Sequence, residues 1–411
     1  MSWRRSVFLW ILAVAVLVPL LPRAIQHALA GGHAAHSPRP DLQPILVGIS
    51  NAQSGPSAFR GKHLVEGSMA YFDLVNARGG IHGRKIQVVL KDDHYEPDSA
   101  AQNTNELITK DRVFVLFDYM GTATLMRILP LLKYYEAELI VNVAPFSGAS
   151  PQRSPPYDRF VFNIRASFRE ETRALVRYLY ARGHRKIGFL GQADAYGKSG
   201  ETGVNDALAE YGLKPVGIVG YGRNQPFEMD MRPSVHFLGE KGADAVIAVG
   251  LYGPCAAFIR DARLAGWDLP IASVSSVDAA VMLDTLREES HRRGTDLTVN
   301  LVNSQVVPLP DDARYPLVAN FLANTPDSTR SFTALEGWLN AVVLVEGLRR
   351  AGPDPTRAAF IRAMESLHGW DPGLGVKLEF SPSGHQAMHK VWLTRTRDQR
   401  WVAVPPTEEY Q

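Results

Sequence analysis

The chain has 411 residues, enough for two domains of ordinary size. Its 45% hydrophobic and 21% charged residues exclude a disordered or collagen-like chain. The formal net charge is +2, and without the first thirty residues it is 41 basic against 42 acidic; so neutral a body lacks the concentrated positive field of a nucleic-acid binder, and a lone cysteine, Cys255, excludes an internal disulfide or a Cys-rich zinc site.

Met1 to Arg5 is short and basic, Ser6 to Leu21 is apolar except for Pro19, and Ala28-Leu29-Ala30 places small residues where a signal peptidase reads them. Residues 1–30 are predicted to be a secretory signal peptide or, if retained, a membrane anchor. The apolar run is shorter than the ~20 residues of a comfortable span, and no cysteine follows it to carry a lipid. Residues 31–43 (GGHAAHSPRPDLQ) read as a linker, with His27, His33 and His36 in a solvated tether and no other ligand type beside them.

From Ile45 the pattern repeats as strand, loop and helix. Strands are predicted at 45–49, 86–90, 113–117 and 139–143, and helices at 64–77, 99–109 and 124–136. Gly79-Gly80 ends the first helix. Further on, helices are predicted at 170–182, 203–211 and 255–265, and strands at 186–190, 216–219 and 245–249. This alternation argues for parallel sheets covered by helices on both faces. Blocks 45–160 and 165–290 fit two doubly wound α/β lobes, and a long helix over Phe332–Arg350 returns to cover the first. Ligands of such sheets bind outside the carboxyl ends of the strands, so function is expected in the loops 50–61, 118–124, 144–149 and 192–199.

No Gly-x-Ser-x-Gly, His-Glu-x-x-His, Walker or strand-to-helix Gly-x-Gly-x-x-Gly motif is present. Asp92 and Asp93 are adjacent on a strand and point to opposite faces, so they form no dyad. A hydrolase-like enzyme is the alternative of another class. No catalytic residue, cofactor or metal is expected.

Several segments taken in order resemble one family. They are SGPSAFRG (54–61), GSMAYFDLVNARGGIHGRKIQVVLKDD (67–93), GTATLMRILPLL (121–132), APFSGA (144–149), FNIRASFREET (162–172), DAYGKSG (194–200) and LYGPCAAFIRDARLAGW (251–267). Together they resemble the branched-chain amino-acid (leucine/isoleucine/valine) binding proteins, the receptors of ABC importers, over residues 45–395. The resemblance implies the type I periplasmic binding fold: two lobes joined by three crossovers, near 160–166, 300–307 and 373–380, with a ligand cleft between them. Lobe 1 would comprise 44–162 plus 302–375, and lobe 2 would comprise 163–301 plus 376–404. The implied setting is the periplasm, free or anchored, with a small organic ligand and an inner-membrane permease as partners. No nucleic-acid partner is expected, and the membrane is touched only through a retained N-terminus.

The resemblance implies that Gly121 and Thr122, at a helix start suited to an anion, hold a ligand carboxylate together with Phe146, Ser147 and Gly148. Thr122 as a plain N-cap and Ser147 as a turn residue are the other readings. Tyr196 and Tyr252 match aromatic positions on the second lobe, where core packing is the alternative. Phe59 and Arg60 fall in the first loop; Arg60 is either a bidentate carboxylate ligand or a solvated rim residue. Where amino-acid binders carry a glutamate for the ligand's ammonium, this chain reads SVSSVDAAV (273–281). Ser275 or Ser276 stands near that place, and Asp278 is offset by two or three residues. A buried ammonium without a partner is costly, so a carboxylate lacking the α-ammonium is the expected ligand. His82 is read as structural, His385 and His389 as surface, and Cys255 as a small residue opening a helix. A membrane-tethered sensor is the alternative within the binding class.

Overall fold

The computed structural model describes residues 42–405. The expected signal or anchor segment at 1–30 and residues 31–41 of the linker lie outside the described residues. No helix among the described residues is long and apolar enough to cross a membrane.

The first half runs β1 (Ile45–Asn51), α1 (Ala58–Ala77), β2 (Ile86–Asp92), α2 (Pro97–Thr109), β3 (Val115–Phe117), α3 (Thr122–Tyr134), β4 (Asn142–Val143) and β5 (Val161–Phe162). These five strands form one parallel sheet in the order β2-β1-β3-β4-β5. The second half begins with α4 (Phe168–Ala181), β6 (Ile187–Gln192), α5 (Ala195–Ala209), β7 (Ile218–Tyr221), α6 (Arg232–Glu240) and β8 (Ala245–Val249). It continues with α7 (Tyr252–Leu264), β9 (Ile271–Ser273), α8 (Ala279–Arg293) and β10 (Leu301–Gln305). Then come α9 (Pro316–Asn324), α10 (Phe332–Arg350), α11 (Arg357–Glu365), β11 (Trp392–Arg397) and β12 (Arg400–Ala403). The second sheet is ordered β12-β11-β10-β9-β8-β6-β7, parallel from β10 to β7, with β11 and β12 antiparallel at one edge.

Both sheets are doubly wound. The strand order reverses at β1 in the first and at β6 in the second, so each carries a switch point at the carboxyl ends of its strands, where α/β sheets bind ligands. The central parallel strands are buried on both faces, whereas the edge strands β2 and β7 are partly exposed. β8 (AVIAV) has no exposed residue and reads as a continuous apolar run.

α10 lies across α1 on the first sheet at backbone contact distance. A Cβ on Gly67 of α1 would sit 1.9 Å from the Ala334 carbonyl oxygen, and one on Gly337 of α10 would sit 2.1 Å from that of Leu64. The crossing brings Asn340 Nδ2 within 2.7 Å of Asp118 Oδ1, and the Ser68 hydroxyl donates to the other oxygen of that buried carboxyl. α4 starts on a capping box: the Ser167 hydroxyl accepts from Glu170 N, and the Glu170 side chain accepts from Ser167 N.

The chain passes between the sheets three times: after β5, after β10 and before β11. β10 pairs with β9 and β11 over its whole length, so the expected boundary at 301/302 falls inside a strand of the second sheet, and the crossing follows Gln305. The third crossing is also later than expected. Phe380 N still bonds Leu367 O at 2.9 Å, and its ring packs on Phe162 at 5.2 Å. His385 is buried, not on the surface: its ring stacks on Phe162 at 3.9 Å, between Asp158 O at 3.1 Å and Glu365 at 3.3 Å. His389 is exposed and bonds Glu170.

The α1–α10 contact leaves no room for a side chain. Gly67→Val is expected to destabilise the fold by at least ~3 kcal/mol, the upper range for overpacking. Urea denaturation followed by circular dichroism measures this, and an unchanged midpoint would contradict the packing described.

Candidate functional site

Side chains from the two switch points meet between the sheets, and most of the residues singled out from the sequence lie there. Thr122 Oγ1 lies 2.9 Å from Ser147 Oγ. The Arg165 guanidinium covers the Phe146 ring at 4.6 Å and the Phe168 ring at 5.9 Å. Phe168 packs on Tyr196 at 5.3 Å. The Tyr196 hydroxyl lies 2.6 Å from Ser276 Oγ and 3.3 Å from Gly250 O, and Arg60 Nη1 donates to Ser276 O at 2.5 Å. Thr122, Phe146, Ser147, Tyr196, Ser276 and Arg60 thus lie along one continuous path of contacts, with Asp278 in the same turn as Ser276.

The two glycines have packing roles there. Gly121 has φ +99°, and a Cβ on it would meet the Tyr95 ring at 2.1 Å. A Cβ on Gly148 would meet Phe168 at 2.5 Å, and its carbonyl accepts Phe168 N at 2.7 Å. Gly121, not Thr122, is the N-cap of α3. Tyr252 stands apart: it opens α7 and lines a groove of about 470 Å³ with Pro56, Phe227, Glu288 and Arg292. Cys255 is buried one turn into α7, and burial pushes its thiol up to about 12, so it is no reactive thiolate.

Arg60 is not a solvated rim residue. It lies in the first turn of α1, not in a loop, and is 3% exposed. One nitrogen reaches Ser276 O; Nε and Nη2 have no hydrogen-bond partner among the described residues. Opposite it, Asp278 holds φ +67° at the start of α8, and the Val281 backbone N–H acts on its carboxylate. Its carboxyl is buried, with Oδ2 unpartnered among the described residues. Burial pushes this acid up to about 6, and the charge of Arg60 pulls the other way. A buried cation with idle donors therefore shares the cleft with a buried acid with an idle acceptor.

Three features of the site were not read from the sequence. Tyr95 follows β2 in a loop that was not among the four expected to carry function. It takes φ 61° directly after His94 at φ 54°, and its ring is buried among Ala52, Leu64, Met120 and Phe146. Arg223 lies 4.9 Å over that ring and donates to Tyr95 O. Arg223 and Asn224 also reach Glu96 at 3.5 and 3.3 Å, joining the two halves at the cleft rim.

The third feature is a buried charge cluster under the cleft. Arg165 is 2% exposed and contacts Glu171 at 3.3 Å, Glu336 at 3.4 Å and the Ser275 hydroxyl. Glu171 Oε2 also accepts Ser275 N at 2.8 Å and Ser304 Oγ at 2.7 Å. The cluster ties the first crossover to α10 of the first half and to the strand ends of the second. Burial pushes Glu336 up to about 7, Arg165 pulls it down, and Glu171 raises it further.

The comparisons with known proteins agree with this geometry. The profile of the family described as periplasmic binding protein matches residues 44–400. The chain belongs to that family. It is similar to an amino acid binding protein of Pseudomonas aeruginosa, 25% identical over 55% of this chain and 59% of the relative, so the chain spans less than two thirds of that relative's length. The crystal structure of a possible leucine/isoleucine/valine-binding protein from Rhodopirellula baltica is 30% identical, with a TM-score of 0.78 over 89% of this chain and 97% of the other. A branched-chain amino acid ABC transporter protein from Thermus thermophilus with bound valine shares the fold. It has a TM-score of 0.79 over 90% of this chain and 98% of the other, at 18% identity. The binding protein is thus of the type I periplasmic fold, among leucine/isoleucine/valine-binding relatives.

The cluster under the cleft carries a pH signature. Glu336 titrates higher folded than its ordinary 4.5, so the folded state holds the extra proton and stability falls as pH rises from about 4.5 to about 7. Asp93, Asp118 and Asp278, also raised by burial, add to the same slope. Urea midpoints at pH 5 and pH 7.5 are expected to differ less in Glu336→Gln than in the native chain. An unchanged slope would contradict the protonated, buried state assigned to Glu336.

Proposed function

We propose that this protein is the extracytoplasmic receptor of an ABC importer, closing by hinge motion on a small carboxylate-bearing ligand that needs no α-ammonium. The observation that carries the ligand class is Arg60. It is buried with two nitrogens unpartnered among the described residues, whereas Asp278, raised by burial to about 6, is discharged by a single proton. Once Asp278 takes up a proton the charge left in the site is positive, which favours an anion. The Ser276 hydroxyl, near the place of the glutamate in amino-acid binders, is engaged by Tyr196 and brings no charge.

In this reading Arg60 receives the carboxylate through Nε and Nη2, Tyr95 and Tyr196 frame the apolar part, and Thr122 and Ser147 line the first-lobe wall. Ligand held by both halves stabilises the closed state, and the rim contacts of Arg223 add to it. The fold's relatives bind and release solutes, so the ligand is expected to be recovered chemically unchanged. Membership of the family supports delivery to an inner-membrane permease. Whether the protein is free or tethered is read by N-terminal sequencing of the exported chain: a start at Gly31 gives a free carrier, and retention of Met1 gives an anchored one.

Isothermal titration calorimetry with 4-methylpentanoate and with leucine tests the ligand class. The account expects the plain carboxylate to bind and Arg60→Gln to lose roughly 2–5 kcal/mol of affinity, the cost of removing one partner of a buried charge pair. Tight leucine binding that depends on Asp278, with no binding of 4-methylpentanoate, would sink it.

A further inference from the structure

We propose that the cleft takes its carboxylate ligand together with one proton, which Asp278 accepts as the ligand reaches Arg60. The inference rests on the carboxylate reading above and adds the stoichiometry of the bound species.

Arg60 and Asp278 come from opposite halves and reach one gap, each with an unpartnered polar atom on a buried side chain. The guanidinium is bonded to the turn that carries Asp278, so a carboxylate anchored on Arg60 stands near the Asp278 carboxyl. Two carboxylates sharing a buried site do not both stay ionised. One proton between them removes the repulsion and gives the unpartnered Oδ2 a hydrogen to donate.

The other titratable groups clustered around Arg60 do not supply that charge. Tyr196 on α5, Tyr221 on β7 and Cys255 on α7 are all pushed upward by burial and stay neutral. Arg165, through Ser275, is already matched by Glu171. Asp284, six residues along α8, raises Asp278 further and is bonded to Arg287. The free protein's Asp278 titrates at about 6, and a bound carboxylate moves it higher still. Above pH 6, then, binding draws a proton from solution; below it the proton is already present.

Calorimetry of 4-methylpentanoate at pH 7.5, in buffers of different ionisation enthalpy, counts the protons directly. Uptake approaching one per ligand is expected. Kd should weaken about tenfold per pH unit above 6, the slope of a single coupled proton. Asp278→Asn keeps the shape and tolerates the positive φ; it is expected to take up no proton, to bind with a Kd independent of pH from 6 to 8, and to bind more tightly than the native chain at pH 8. Binding of 4-methylpentanoate by the native protein with no proton uptake would overturn the proposal and leave the carboxylate reading standing. Failure of 4-methylpentanoate to bind, with leucine binding that Asp278→Asn abolishes, would overturn both.

Discussion

The cleft is organised around a buried guanidinium that the protein satisfies only in part. Arg60 sits at the start of α1, next to the switch point of the first sheet, and spends one nitrogen on a backbone carbonyl of the second half. A charge removed from water must find hydrogen-bonding partners or raise the energy of the fold. In the proposed reading the remaining donors take the ligand, and because the existing bond joins the two halves, the ligand lies where they meet. On that proposal, ligand recognition and closure are two aspects of one electrostatic demand.

The rest of the architecture makes that demand geometrically possible. Parallel doubly wound sheets end their strands on one side, so two such sheets set end to end place both switch points at one gap. The Arg165 cluster ties the first crossover to α10 and to the ends of β9 and β10, giving the halves a fixed, charged floor. Tyr95 and Phe146 form the apolar wall of the first half, and Tyr196 and Phe168 that of the second. Gly121 and Gly148 are glycines because those rings leave no room for a Cβ.

Much of the fold was legible in the sequence. Alternating strands and helices gave both lobes, and the long helix at Phe332–Arg350 falls where its periodicity placed it. The misplaced helix starts share a cause. In SGPSAFRG and DAYGKSG, glycines read as loop, yet α1 begins at Ala58 and α5 at Ala195. Those glycines are helical because each first turn packs on the backbone of the preceding strand end: a Cβ on Gly61 would lie 1.9 Å from Ala52 O, and one on Gly197 would lie 1.8 Å from Gln192 O. Asp194 then caps α5, with Tyr196 N at 2.9 Å. Of the site, Thr122, Ser147 and Tyr196 were reachable from their places after strands, and the 275–278 turn through the family resemblance. The burial of Arg60 was not, since a lone arginine in an apparent loop carries no signal of its surroundings. Tyr95 was hidden by its left-handed backbone and by the acidic pair before it. Tyr252 looked equivalent to Tyr196 in sequence, but α7 aims it at a separate groove.

The most direct measurement of the central claim is a crystal structure of the protein with 4-methylpentanoate. The account places the carboxylate oxygens at hydrogen-bond distance, ~2.7–2.9 Å, from Nε and Nη2 of Arg60, enclosed by both halves. A carboxylate found elsewhere, with Arg60 still bonded only to Ser276, would contradict it.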